Sequence, residues 1–106
     1  MNMYDLEVIA KQLGFGLDDV KTIIRVLLEE ADKSILKIDE MFKHQAWEQI
    51  ATEVHSIKGS AGNMQLIALS ELSETLEQAA QMHDTQQVEM LINNIKSTLQ
   101  QLHQQL

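Results

Sequence analysis

The feature that most constrains the fold is an apolar residue at every third or fourth position, sustained over nearly all of a 106-residue chain that has no proline. Between positions 20 and 42 this spacing lasts for about six helical turns. The helix formers Leu, Gln, Glu, Ala, Ile and Lys are abundant, whereas Val, Thr and aromatic residues, which favour strands, are scarce. The sequence therefore predicts an all-α protein.

The apolar pattern divides into five helical segments separated by short connections. The predicted segments are Tyr4 to Leu13, about Val20 to Phe42, a helix that begins near Ala46, about Leu66 to Met82, and a last helix that opens at Asp84. Four long amphipathic helices with short connections predict an antiparallel four-helix bundle, to which the short N-terminal helix is an addition. We expect the closing stretch QQLHQQL to be a fraying helix end.

Size and charge exclude several classes of protein. The length predicts a single domain over residues 1–106, and we expect a monomer. A net charge of −8 with only eight Lys and Arg residues argues against nucleic-acid binding. Cysteine is absent, which excludes disulfides and thiolate metal sites, and no apolar run approaches the roughly 18 residues of a membrane span. The sequence therefore predicts a cytoplasmic protein without a membrane segment.

The stretch HSIKGSAGN, residues 55–63, combines groups that an ordinary amphipathic helix does not need. If the third helix continues through it, His55 lies at the edge of the apolar face, where solvent can reach the ring. Gly59 and Gly62 then leave bare backbone beyond the ring, although a mid-helix glycine costs about 0.5 to 1 kcal/mol relative to alanine. The spacing brings Lys58 next to the imidazole, where an ammonium favours the neutral ring and stabilises an anion bound to it. This combination suits a phosphoryl acceptor.

A second interpretation of the same residues is open at this point. GSAGN has the composition of a loop that ends a shorter third helix at Lys58. His55 would then be an ordinary last-turn histidine that interacts with the negative end of the helix dipole. Periodicity alone does not decide between these two possibilities.

The stretch from Val54 to Asn63 resembles the signature of histidine-containing phosphotransfer (HPt) domains, in which H-x-x-K-G is followed by small residues. The length of the chain, its four-helix pattern and the position of the motif also fit that family, so the resemblance covers essentially the whole chain. Two positions depart from the family pattern. Gln65 stands where members commonly have glycine, and Glu77 stands where many have a glutamine that fixes the tautomer of the histidine.

The resemblance implies a function and a role for each site residue. His55 would accept a phosphoryl group from the aspartyl phosphate of a receiver domain and pass it to another response regulator. Lys58 would stabilise the phosphoryl group, Gly59 would give the receiver domain access, and Glu77 would orient the imidazole. The partners would be receiver domains of response regulators or a hybrid histidine kinase. The protein would be a phosphocarrier that binds no ATP and needs no cofactor of its own, with Mg²⁺ held by the partner.

Three alternatives belong to other classes. A di-iron bundle requires Glu-x-x-His pairs, and the residues three positions before the four histidines are Met41, Thr52, Ala80 and Gln100, none of them acidic. We expect His44 to form a surface pair with Glu40, His83 to end a helix and His103 to lie in a solvated tail.

The chain could also be the phosphoacceptor domain of a larger chemotaxis-type or hybrid histidine kinase, although its start and its closing tail favour a free-standing protein. It could finally be an interaction module that is not phosphorylated.

Overall fold

The computed structural model describes residues 4–106, which form five α-helices. These are α1 (Leu6–Leu13), α2 (Leu17–Lys43), α3 (Trp47–Asn63), α4 (Ile67–Gln81) and α5 (Thr85–Gln105). Helix α2 packs against α3, α3 against α4, and α4 against α5. Helix α5 also packs against α2, which closes the bundle, and α1 packs on α2. The predicted all-α four-helix bundle with an additional N-terminal helix is confirmed.

The core consists of the apolar stripes that define the helices in the sequence. Each of the four long helices contributes side chains that are completely buried: Val20, Ile24, Leu28, Ile38, Ile50, Val54, Ala61, Leu69, Leu76, Ala80, Val88, Ile95 and Leu102. Burying a large aliphatic side chain stabilises the fold by about 1.5 to 3 kcal/mol relative to leaving it exposed. On the outside, Lys96 of α5 forms an ion pair with Asp39 of α2 at 2.6 Å, and Nε2 of His103 lies at hydrogen-bond distance, 2.8 Å, from Asp32 of α2.

Four of the helix ends have the same geometry. After α1, α2, α3 and α4, one residue adopts a positive φ, and the backbone N–H groups there return to carbonyls of the last helical turn. Only Gly14, at φ 73°, is a glycine; Gln45, Gln65 and His83 adopt φ values of 54°, 58° and 56°. A residue with a Cβ atom is strained in this region by about 1 to 2 kcal/mol. A glutamine instead of a glycine at position 65 therefore leaves the turn intact but strains its backbone.

The segment before α1 holds the ends of two other helices. The Tyr4 hydroxyl oxygen accepts a hydrogen bond of 2.9 Å from the backbone N–H of Leu69, the third residue of α4. Helix α4 has no capping side chain of its own, so Tyr4 supplies the missing acceptor. Burial raises the pKa of Tyr4 above its usual value, and the hydrogen bond from Leu69 acts in the opposite direction. The prediction that the first helix begins at Tyr4 is wrong, because α1 begins at Leu6 with Asp5 as its N-cap, and the Tyr4 hydroxyl serves α4 instead.

The prediction of a fraying C-terminal end is also wrong. Helix α5 continues to Gln105, and Leu102 is completely buried. The backbone N–H of Tyr4 donates to Oε1 of Gln105 at 3.1 Å, and the Gln105 amide donates in return to the Tyr4 carbonyl. His103 is exposed, as predicted, and is also bonded to Asp32 of α2. These contacts order the last turn.

Within residues 4–106, no helix is both long enough and apolar enough to cross a membrane.

Candidate functional site

Helix α3 runs without interruption through the stretch HSIKGSAGN and ends at Asn63. The interpretation of GSAGN as a loop that ends the helix at Lys58 is therefore wrong. The buried residues Val54, Ile57 and Ala61 hold the inner face of this segment against the bundle. Because the apolar stripe continues past the glycines, packing maintains the helix where intrinsic propensity is weak.

The ring of His55 stands at the surface and has a defined orientation. Its side chain is 63% exposed, and Nδ1 lies 3.0 Å from Oε2 of Glu77 on α4. A carboxylate only accepts hydrogen bonds, so this contact places the proton of the neutral ring on Nδ1. Nε2 is then the nitrogen with the free lone pair, which makes it the nucleophile.

Lys58 contacts the same carboxylate from the other side. Its Nζ lies 3.4 Å from Oε1 of Glu77, so one carboxylate bridges the imidazole and the ammonium. The Lys58 side chain is 32% exposed, whereas Glu77 is only 18% exposed. A carboxylate that is largely withdrawn from water needs a compensating partner, and Lys58 supplies it. The sequence places Lys58 near the imidazole, and the structure adds that Glu77 joins the two.

The two glycines of α3 have different surroundings. A Cβ atom built on Gly59 would meet nothing within 4 Å, whereas one built on Gly62 would lie 3.5 Å from Oγ of Ser70 on α4. Both glycines are exposed, as the predicted bare strip requires, and the distance at Gly62 is that of an ordinary van der Waals contact. The strip is therefore open at Gly59 and bordered by α4 at Gly62.

Ser70 is a residue of the site that sequence reasoning missed. Its hydroxyl donates a hydrogen bond of 3.2 Å to the carbonyl oxygen of Lys58. It lies seven residues before Glu77, so both side chains point from α4 toward α3. The sequence contained no signal for Ser70, because other polar residues of α4, such as Glu71 and Gln78, recur at the same separation. Ser70 and Glu77 together hold α4 alongside the segment of α3 that carries His55 and Lys58.

The remaining histidines lie outside this group. His44 lies 3.7 Å from Glu40 on the surface, as predicted, and His103 is bonded to Asp32 on α2. His83 follows the end of α4 and stacks on Trp47, with ring centroids 5.8 Å apart. Among residues 4–106 there is no group of three or more His, Cys, Asp or Glu side chains that could hold a metal ion.

Taken together, the exposed group offers an imidazole whose neutral form has a nucleophilic lone pair on Nε2, an acceptor that fixes its tautomer, and one ammonium bound to that same acceptor. The open backbone at Gly59 lies one helical turn beyond the ring. A Cβ atom added there would meet nothing within 4 Å, so this part of the surface is open to an incoming molecule. The arrangement is suited to accepting a group from another macromolecule.

Comparison with known proteins gives one match. A family model described as the Hpt domain matches residues 22–106, which include α3, α4, α5 and most of α2. No curated protein and no solved structure shows a significant match to the chain.

Proposed function

The chain belongs to the Hpt domain family, since the family model matches most of its length, and we propose that it is a histidine phosphotransfer protein whose phosphoryl acceptor is His55. Hpt domains are phosphocarriers of two-component signalling and interact with receiver domains of response regulators or with kinases. The observation that carries the assignment to His55 is its exposed ring, whose Nδ1 is bonded to Glu77 and whose Nε2 has no hydrogen-bond partner among residues 4–106.

The proposed reaction is a displacement at phosphorus. The Nε2 lone pair of His55 attacks the phosphorus atom of an aspartyl phosphate on a receiver domain, and an N–P bond forms. The bond between phosphorus and the aspartyl oxygen breaks, and its electron pair stays on that oxygen, which becomes a carboxylate again. The proton on Nδ1 remains there, so the ring becomes positively charged. Transfer to a second receiver domain reverses these steps and returns a neutral imidazole.

Each neighbour of His55 has a role in this proposal. Glu77 orients the ring and lies next to the positive charge that it acquires. Lys58 stabilises the phosphoryl oxygens, because phosphoryl transfer depends mainly on positioning and charge neutralisation. Gly59 leaves room for the receiver domain. The protein receives its phosphoryl group from a partner and binds neither ATP nor a cofactor, while the acidic site of the receiver domain holds Mg²⁺.

The test is transfer of label from a phosphorylated receiver. A panel of receiver domains from the source organism is phosphorylated with labelled acetyl phosphate, and each is mixed with the wild type, His55→Gln and His44→Gln. We expect acid-labile, base-stable label on the wild type and on His44→Gln, which alters an exposed histidine elsewhere. Label on His55→Gln would refute the assignment of the site, and an unlabelled wild type with every receiver would refute the function.

A further inference from the structure

The contact between Glu77 and Lys58 has a consequence for how tightly this protein holds a phosphoryl group. Lys58 is the only Lys or Arg between positions 44 and 95, so α3 and α4 carry no second Lys or Arg. In the unphosphorylated protein its ammonium lies 3.4 Å from the Glu77 carboxylate. A phosphoryl group on Nε2 of His55 would be a second anion within reach of the same ammonium.

We propose that Glu77 and the phosphoryl group compete for Lys58, so that Glu77 lowers the affinity of His55 for the phosphoryl group. This inference rests on the proposed function and concerns its regulation. To contact the phosphoryl group, the ammonium of Lys58 must give up its contact with the Glu77 carboxylate or divide its hydrogen bonds between the two anions. Glu77 is only 18% exposed, so water does not fully replace the lost cation. The cost of that exchange is subtracted from the stability of the phosphohistidine.

The direct effects of the Glu77 carboxylate on the phosphorylated ring oppose each other. The carboxylate attracts the positive charge of the ring, which lies close to it through Nδ1, and repels the phosphoryl oxygens, which carry more charge but lie on the far side of the ring. In the proposed competition these two opposing effects largely offset each other, and the position of the Lys58 ammonium between the two anions determines the net result.

A glutamine at position 77 separates the two functions of the carboxylate. The amide oxygen of Glu77→Gln can still accept the Nδ1–H bond and keep the tautomer, but the neutral amide no longer competes for the ammonium. The phosphohistidine should therefore become more stable in this variant. Loss of a partly exposed ion pair corresponds to about a two- to fivefold change in an equilibrium constant.

The experiment measures the equilibrium distribution of label between His55 and the receiver domain that labels it. The variants are Glu77→Gln, Lys58→Gln and the double variant, with Glu74→Gln as the matched control. Glu74 is exposed, lies one turn earlier on α4 and forms no ion pair among residues 4–106. Its substitution removes the same charge without touching Lys58. Thermal unfolding of each variant checks that the fold is retained.

We expect Glu77→Gln to shift the distribution toward phosphohistidine by about two- to fivefold and Glu74→Gln to shift it much less. In the Lys58→Gln background, Glu77→Gln should have little effect, because the cation under competition is gone. An equal shift in both backgrounds, no shift, or a shift toward the receiver would each overturn the inference while leaving the function in place. An unlabelled wild type would overturn both.

Discussion

The two faces of α3 illustrate different demands on the same seventeen-residue helix. On the inner face, Val54 and Ala61 are completely buried and pack against the bundle. On the outer face, His55 is 63% exposed, and a Cβ atom added to Gly59 would meet nothing within 4 Å. The inner face provides the stability of the helix. The residues of the outer face are therefore free to be determined by chemistry rather than by folding.

The largest expected effects are those of substituting two adjacent residues, Val54 on the inner face and His55 on the outer face of α3. Val54→Ala should lower the free energy of unfolding by about 2 kcal/mol, because it leaves a cavity at a fully buried position. His55→Gln should change it by less than about 0.5 kcal/mol while abolishing phosphoryl acceptance. Denaturant unfolding and the label assay measure the two quantities. A large loss of stability in His55→Gln would show that the outer face also supports the fold.

Gly59 allows the same comparison within one variant. Gly59→Gln should increase helix stability by about 0.5 to 1 kcal/mol, since an exposed mid-helix glycine is unfavourable and the space beside it is open. The same side chain should slow transfer from the receiver by about tenfold, equivalent to about 1.4 kcal/mol in the barrier. Thermal unfolding and single-turnover transfer test the pair. Unchanged transfer would mean that the receiver does not approach over Gly59.

The smallest effect is expected at Gln65, just beyond the end of α3. Gln65→Gly should stabilise the fold by about 0.5 to 1 kcal/mol, because φ at this position is 58° and glycine adopts that value without strain. Transfer should be unaffected. Gln45→Gly is the matched variant, because φ at that position after α2 is 54°, and it should stabilise the fold by a similar amount. A loss of stability in both would mean that the glutamine side chains contribute more than the backbone strain costs.

The sequence predicts the helices well because each one buries a stripe with helical spacing, and burial at that spacing is what makes it fold. The errors lie where a side chain makes a contact with a distant part of the chain. Tyr4 fits a helical pattern, yet its hydroxyl caps α4, 65 residues away. The closing glutamines have the composition of a frayed end, yet Gln105 is bonded to Tyr4. Local periodicity contains no information on such contacts.

The same limit applies to the site. A helical wheel places His55 at the edge of the apolar face of α3, but it cannot tell which glycine faces a neighbouring helix. The contact of Ser70 with α3 depends on how α4 packs, so Gly62 and Gly59 look equivalent in sequence and differ in the structure. Glu77 is suggested by family resemblance alone. Its simultaneous contacts with His55 and Lys58 arise from the relative position of two helices, which spacing within either helix does not specify.

The bonds between Tyr4 and Gln105 bring the beginning and the end of the described chain together. A short linker could therefore join Gln105 to Tyr4, and a bundle linked in this way could be opened at one of the turns between helices, as in a circular permutation. The bundle is stabilised by contacts between helices that are neighbours in space. This architecture should therefore tolerate a change in the order of the helices along the chain.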